Sequence, residues 1–145
     1  MIIGLGADHG GFELKEHIKK YLSDKGYEIK DYGTYSGSAA DYPDIAFKTC
    51  EGLLSGECDR AILFCGTGIG ISIAANKVKG IRCAHCTDSY SAKMSRCHNN
   101  ANVIALGGRI TGVCVAEEIV DAYLGASFLG ERHEARVKKI MDYEG

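Results

Sequence analysis

An apolar run from Ala61 to Phe64 ends on Cys65 and opens into Gly66-Thr67-Gly68-Ile69-Gly70. Alternating glycines can take left-handed backbone angles and carry no side chain, so consecutive N–H groups can converge on one anionic oxygen. A helix beginning there would add its positive N-terminal end, which favours a bound anion and the thiolate form of Cys65. Two plainer explanations compete: a tight strand-to-helix turn also needs glycine, and free cysteine is commonly a small buried hydrophobe. The spacing is not G-x-G-x-x-G, and no Gly-Lys-Ser/Thr ends the loop, so neither a dinucleotide fingerprint nor a Walker loop is present. Asp31 is the one acidic residue that a dinucleotide reading could offer, and it lies before the loop rather than after it.

Other polar residues sit where apolar runs stop. Asp8 and His9 follow the first run, ahead of Gly10-Gly11, and Arg109 follows Gly107-Gly108 at the end of another. His98 and Asn99 come at the end of a helical pattern. Arg132 and Arg136 stand four apart, on one face of a helix, where two guanidinium forks suit a phosphate dianion. Each has a plainer alternative: an N-cap for Asp8, a surface turn for His9, and a solvated face with Glu131 and Glu134 as partners for the arginines. His133 points about 100° away from Arg132 around that helix and has no need to join a site.

The elements that must position these groups alternate. Strands are expected at 2–8, 27–33, 60–66, 81–87 and 102–108. Between them, Leu14, Ile18, Tyr21 and Leu22 recur at helical spacing, a second helix covers roughly 44–55 after Pro43, and the segments beginning at Ile71 and Ser89 also read as helices. Ala116, Ile119, Val120, Tyr123 and Leu124 mark a helix before a charged C-terminal helix over 131–144. Five strand–helix alternations imply a parallel sheet covered on both faces, a Rossmann-like three-layer α/β/α sandwich with an extended C-terminal helix. Such sheets bind ligands beyond the carboxyl ends of their strands. Asp8, His9, Cys65 and Arg109 fall there.

Composition narrows the class further. The chain has 145 residues, a single-domain length without linker or repeat, and a net charge of −2 with no Lys/Arg stripe, which argues against nucleic acid as partner. No apolar stretch approaches the ~20 residues of a membrane span, and the N-terminus lacks the pattern of a signal peptide, so the cytoplasm is the expected location. The seven cysteines, an odd number, read as free thiols. Cys83 and Cys86 form C-x-x-C in a predicted strand, where positions three apart face opposite ways, and no second pair completes a metal site.

The segments ADHGGFELK, DYGTYS…DYP, CGTGIGISIAANKVKGIRCA, SAKMSRCHNNANVIALGGR and GERHEARV, in this order over almost the whole chain, resemble ribose-5-phosphate isomerase type B and the related galactose- and allose-6-phosphate isomerases. The resemblance implies aldose–ketose isomerisation through a cis-enediolate, with no metal or organic cofactor. It implies Cys65 as the base moving the proton between C1 and C2, and the backbone of Gly66, Thr67, Gly68, Ile69 and Gly70 as the anion hole. His98, with Asp8 nearby, would open the furanose ring. His9, Arg109, Arg132 and Arg136 would hold the phosphate, Asn99 a sugar hydroxyl, and Tyr42 would line the sugar pocket. It also implies a homodimer with sites shared between subunits, pairing into a tetramer being left open. One branch of the family carries a glutamate in the glycine loop instead of the cysteine; here position 71 is Ile71, which points to the cysteine-using branch. Hexose-6-phosphate isomerisation and non-catalytic binding of a sugar phosphate stand as alternatives.

Overall fold

The computed structural model describes residues 1–145. Ile62, Leu63 and Phe64 are wholly buried, as expected of a strand with helices on both faces. They belong to β3 (Arg60–Cys65), the centre of a five-stranded parallel sheet whose other strands are β1 (Ile2–Ala7), β2 (Glu28–Asp31), β4 (Cys83–His85) and β5 (Val103–Gly107), in the order β2-β1-β3-β5-β4. Alternate residues of β3 enter different layers. Ile62 and Phe64 pack with Leu14, Ile18 and Leu22 of α1 (Phe12–Asp24), Ala92 of α4 (Ser89–Asn99) and Ile119 and Val120 of α5 (Val113–Leu124). Ala61, Leu63 and Cys65 pack with Ala46 and Cys50 of α2 (Tyr42–Leu54) and Ile71, Ala74 and Ala75 of α3 (Ile69–Asn76). Complete burial of one such large apolar side chain contributes about 1.5–3 kcal/mol.

The expected Rossmann-like sandwich is therefore present, with α6 (Arg132–Glu144) added outside against α4. Several bounds differ from expectation. The predicted 81–87 strand pairs only over Cys83–His85, because β4 is an edge strand with β5 as its single neighbour. The second helix starts at Tyr42, so Tyr42 lies in its first turn rather than in a preceding turn, with Pro43 at a position where its missing N–H costs nothing. His98 and Asn99 are inside the last turn of α4, not beyond it. Cys83 and Cys86 do face opposite layers of the core, as their spacing requires.

One buried ion pair ties an edge of the sheet to a helix. Lys15 of α1 has no exposed side-chain surface, and its Nζ donates to Asp31 Oδ1 at 2.8 Å and to the Thr34 carbonyl at 2.7 Å. Lys19 adds a bond to Asp31 Oδ2 at 3.0 Å. Asp31 is thus committed to holding β2 against α1. No helix is long and apolar enough to cross a membrane.

Candidate active site

The strand order reverses direction between β1 and β3, and the crevice beyond their carboxyl ends is where an open α/β sheet binds its ligand. Asp8 directly follows β1 and Cys65 ends β3. Asp8 is not the N-cap of α1; that position is Gly11. Its carboxylate instead accepts from the N–H groups of Gly10 and Gly11 through Oδ1 (2.9 and 3.1 Å), which fixes the turn entering α1. His9 Nδ1 accepts from the Ala40 N–H at 3.3 Å, so in neutral His9 the proton resides on Nε2 as a free donor.

The glycine loop forms the floor. Gly68, at φ +83°, is the N-cap of α3, and its N–H donates to Cys65 Sγ at 3.1 Å. Thr67 Oγ1 accepts from the Ile69 N–H at 3.2 Å, and the first i→i−4 bond of the helix is Ser72 N–H to Gly68 O. The Gly70 N–H, which meets no acceptor in the protein, is therefore a free donor at the positive end of α3, while Ile71 next to it is wholly buried. Tyr42 lies over the same turn: a Cβ on Gly70 would fall 2.8 Å from the Tyr42 ring.

Arg109 is delivered by the turn after β5. Its backbone N–H donates to the Gly66 carbonyl at 3.0 Å, and its guanidinium lies alongside Gly66, where a Cβ would come within 3.1 Å of Nη1. The turn can lie this close because Gly108 has no side chain; a Cβ there would fall 2.6 Å from the Gly10 carbonyl oxygen. Arg109 has no carboxylate partner in any ion pair. His9, Gly10, Glu13, Gly108 and Arg109 line a cleft of about 270 Å³.

A second group assembles elsewhere, around the end of α4 and the start of α6. The rings of His98 and His133 stack at 4.2 Å with an interplanar angle of 10°. Burial holds His133 below the ordinary histidine value, and the neighbouring His98, Arg132 and Arg136 add to that. Arg132 and Arg136 are both exposed and form no ion pair with Glu131 or Glu134. Asn99, also exposed, turns its backbone carbonyl to the Arg82 side chain at 3.1 Å. The structure thus brings Asp8, His9, Tyr42, Cys65, the glycine loop and Arg109 together, and gathers His98, Asn99, Arg132 and Arg136 apart from them.

Two residues escaped the reading of the sequence. His133, set aside because it points away from the arginines, is the surface on which His98 rests. His85 stands at the end of β4, with Nε2 2.9 Å from the Thr67 carbonyl oxygen. The rule that found Asp8, Cys65 and Arg109 applies to it equally, but a strand expected to run to residue 87 hid its position at a strand end. No three His, Cys, Asp or Glu side chains gather as metal ligands.

Fold and site together define a doubly wound α/β protein with a glycine loop, a cysteine and an unpaired arginine at its switch point. The chain belongs to the ribose/galactose isomerase family, whose model matches residues 3–140. It is 49% identical over 142 residues to ribose-5-phosphate isomerase B of Escherichia coli, covering 98% of this chain and 95% of that protein. It is 46% identical over 143 residues to D-erythrulose-4-phosphate isomerase of Pectobacterium atrosepticum, covering 98% and 94%. The solved structure of ribose-5-phosphate isomerase B from Clostridium thermocellum superposes with a TM-score of 0.98 at 56% identity, covering 99% of this chain and 97% of that one.

Proposed function

We propose that this isomerase interconverts ribose 5-phosphate and ribulose 5-phosphate, with Cys65 as the base. The observation that carries the reading is the Cys65 thiol lying under the Gly68 N–H, at the glycine turn whose Gly70 N–H is unpaired. Aldose–ketose isomerisation needs both devices at once. The thiolate takes the proton from C2 of the open-chain aldose, and the electron pair moves through C1=C2 onto O1. The N–H groups hold that oxyanion. The proton on sulfur is then delivered to C1 as the O2 proton passes to O1, which leaves the ketose and restores the thiolate. A placed base contributes roughly 10²–10⁴-fold, and one aimed oxyanion donor about 2.7–4 kcal/mol. Arg109 and the Nε2–H of His9 supply the charge and donor for the phosphate, far from the reacting carbons, so that binding energy is used to position C1 and C2.

His98 in ring opening, and Arg132 and Arg136 on the phosphate, act in this reading from the second subunit of a homodimer. Support comes from the separation of the two groups and from the open cleft at His9 and Arg109, which is smaller than the ~300–1,000 Å³ usual for a complete ligand pocket. The reaction belongs to pentose phosphate interconversion in the cytoplasm.

Cys65→Ala tests the base directly. Turnover of ribose 5-phosphate falls by about 10²–10⁴-fold while the fold and phosphate binding persist; near-normal turnover in this variant rejects the assignment. Exchange of the substrate's C1 or C2 hydrogen with solvent, which a protein that only binds sugar phosphates would not catalyse, accompanies the wild-type reaction. A second substrate reading is favoured by the likeness to D-erythrulose-4-phosphate isomerase and by a family that spans ribose and galactose isomerases. Comparing kcat/KM for erythrulose 4-phosphate, ribose 5-phosphate and galactose 6-phosphate decides between them, with ribose 5-phosphate expected to lead.

A further inference from the structure

We infer that His85 is a positioning residue for Cys65, acting through the Thr67–Gly68 peptide. Three observations place it there. The His85 ring nitrogen Nε2 lies 2.9 Å from the Thr67 carbonyl oxygen. A carbonyl can only accept, so Nε2 carries the proton and donates. The N–H of that same peptide, on Gly68, points the other way and donates to Cys65 Sγ at 3.1 Å. The peptide is also held from both sides: a Cβ on Gly68 would fall 2.8 Å from His85 Cδ2, and one on Gly107 would fall 2.5 Å from the Thr67 carbonyl oxygen.

A peptide group is a planar conjugated unit, so what binds its oxygen is felt at its nitrogen. Donation from His85 into the Thr67 carbonyl draws electron density toward oxygen and makes the Gly68 N–H a stronger donor. That donor meets the sulfur, and the gain is larger for a thiolate than for a thiol, because hydrogen bonds to charged acceptors are the stronger ones. His85 also sets the rotation of the peptide plane, and with it the direction in which the Gly68 N–H points. His85 is well placed to do this because β4 ends on it, paired with Ala105 of β5, so the imidazole stands on the sheet rather than on a loop. It is exposed and packs into neither core cluster.

The proposal rests on Cys65 as the base, and its test keeps the two separable. His85→Leu removes the donor; His85→Gln keeps an N–H at a similar reach. Two readouts are followed against pH: kcat/KM for ribose 5-phosphate, and the rate of iodoacetamide modification at Cys65 measured on the peptide that contains it. Cooperative strengthening through one hydrogen bond is on the order of 10–30%, so His85→Leu moves the acid limb of both profiles upward by about half a pH unit. The loss is then about threefold on the acid side and absent on the alkaline plateau, and His85→Gln restores the wild-type profile. A loss equal at every pH, or the same in both variants, would mean that His85 merely packs, and would overturn the proposal, as would unshifted profiles. If the modification profile shifts while the kcat/KM profile does not, His85 tunes the thiol and Cys65 is not the base.

Discussion

Arg109 and Cys65 reach the crevice by opposite means. Cys65 is the last residue of a buried strand, so the core fixes its sulfur. Arg109 is exposed, and its backbone is pinned to Gly66 while the guanidinium stays free to meet an anion. Arg109 lines one cleft with His9; in the proposed reading the two hold the phosphate, and bonds to charged groups contribute about 1.5–3 kcal/mol each. Arg109→Ala should accordingly raise KM for ribose 5-phosphate by about tenfold or more with a smaller change in kcat, and leave any turnover of unphosphorylated ribose unchanged. Steady-state kinetics on the two sugars checks this; an equal loss on both would show that Arg109 serves the sugar and not the phosphate. Cys65 is the thiol that accepts a hydrogen bond from the glycine loop; Cys50, Cys83 and Cys86 are held protonated in the core. Burial pushes the Cys50 thiol up to about 12 and Cys86 to about 11, and Cys83 is also raised by burial. A thiol held protonated at neutral pH is a poor base.

At the scale of elements, the Lys15–Asp31 pair decides where β2 and α1 meet, and hence how the β1 end carrying Asp8 and His9 is framed. Burial alone would raise the Asp31 carboxyl, but bonds from Lys15, the Gly33 N–H and Lys19 more than offset this and hold it below the ordinary aspartate value. A folded-state value below the unfolded one means that folding favours the carboxylate. The stabilisation is therefore complete above the ordinary aspartate range near ~3.9 and is lost as pH falls through the folded value. Asp31→Asn removes the buried counter-charge of the Lys15 ammonium and leaves only the half-exposed Glu16 carboxylate, 3.3 Å from Nζ, to balance it. With the Asp31 side chain still 11% exposed and Lys15 keeping its bond to Thr34, the cost falls at the low end of that class, about 3 kcal/mol. Urea denaturation at pH 7 should show this loss, and the gap between variant and wild type should narrow at pH 3; an equal gap at both would mean that the Asp31 charge contributes nothing.

For the whole molecule, the question is whether one chain can turn over alone. The group on α4 and α6 is built separately from the crevice at the ends of β1 and β3, and in the proposed reading two copies bring them together. A symmetric pair contains two such sites, each drawing on both chains. Mixing Cys65→Ala with His98→Asn subunits should then restore about a quarter of wild-type activity: random pairing makes about half the dimers hybrid, and each hybrid holds one intact site of two. If both residues act within one chain, every site stays defective and no activity returns.

The strands, helices, sheet type and most of the crevice residues were legible in the sequence, because each is written locally: apolar runs of strand length, 3.6-residue periodicity, and polar residues where the runs stop. Cys65, Asp8, His9 and Arg109 could be gathered before any coordinates, since a parallel sheet sends all its strand ends to one side. What only the tertiary structure decided was which polar groups actually meet. The stacking of His98 on His133 depends on how α6 docks against α4, and the contact from His85 to the Thr67–Gly68 peptide depends on where an edge strand stops pairing. Which partner each meets leaves no local mark, because both contacts arise between segments far apart in the chain, with a geometry no spacing rule encodes.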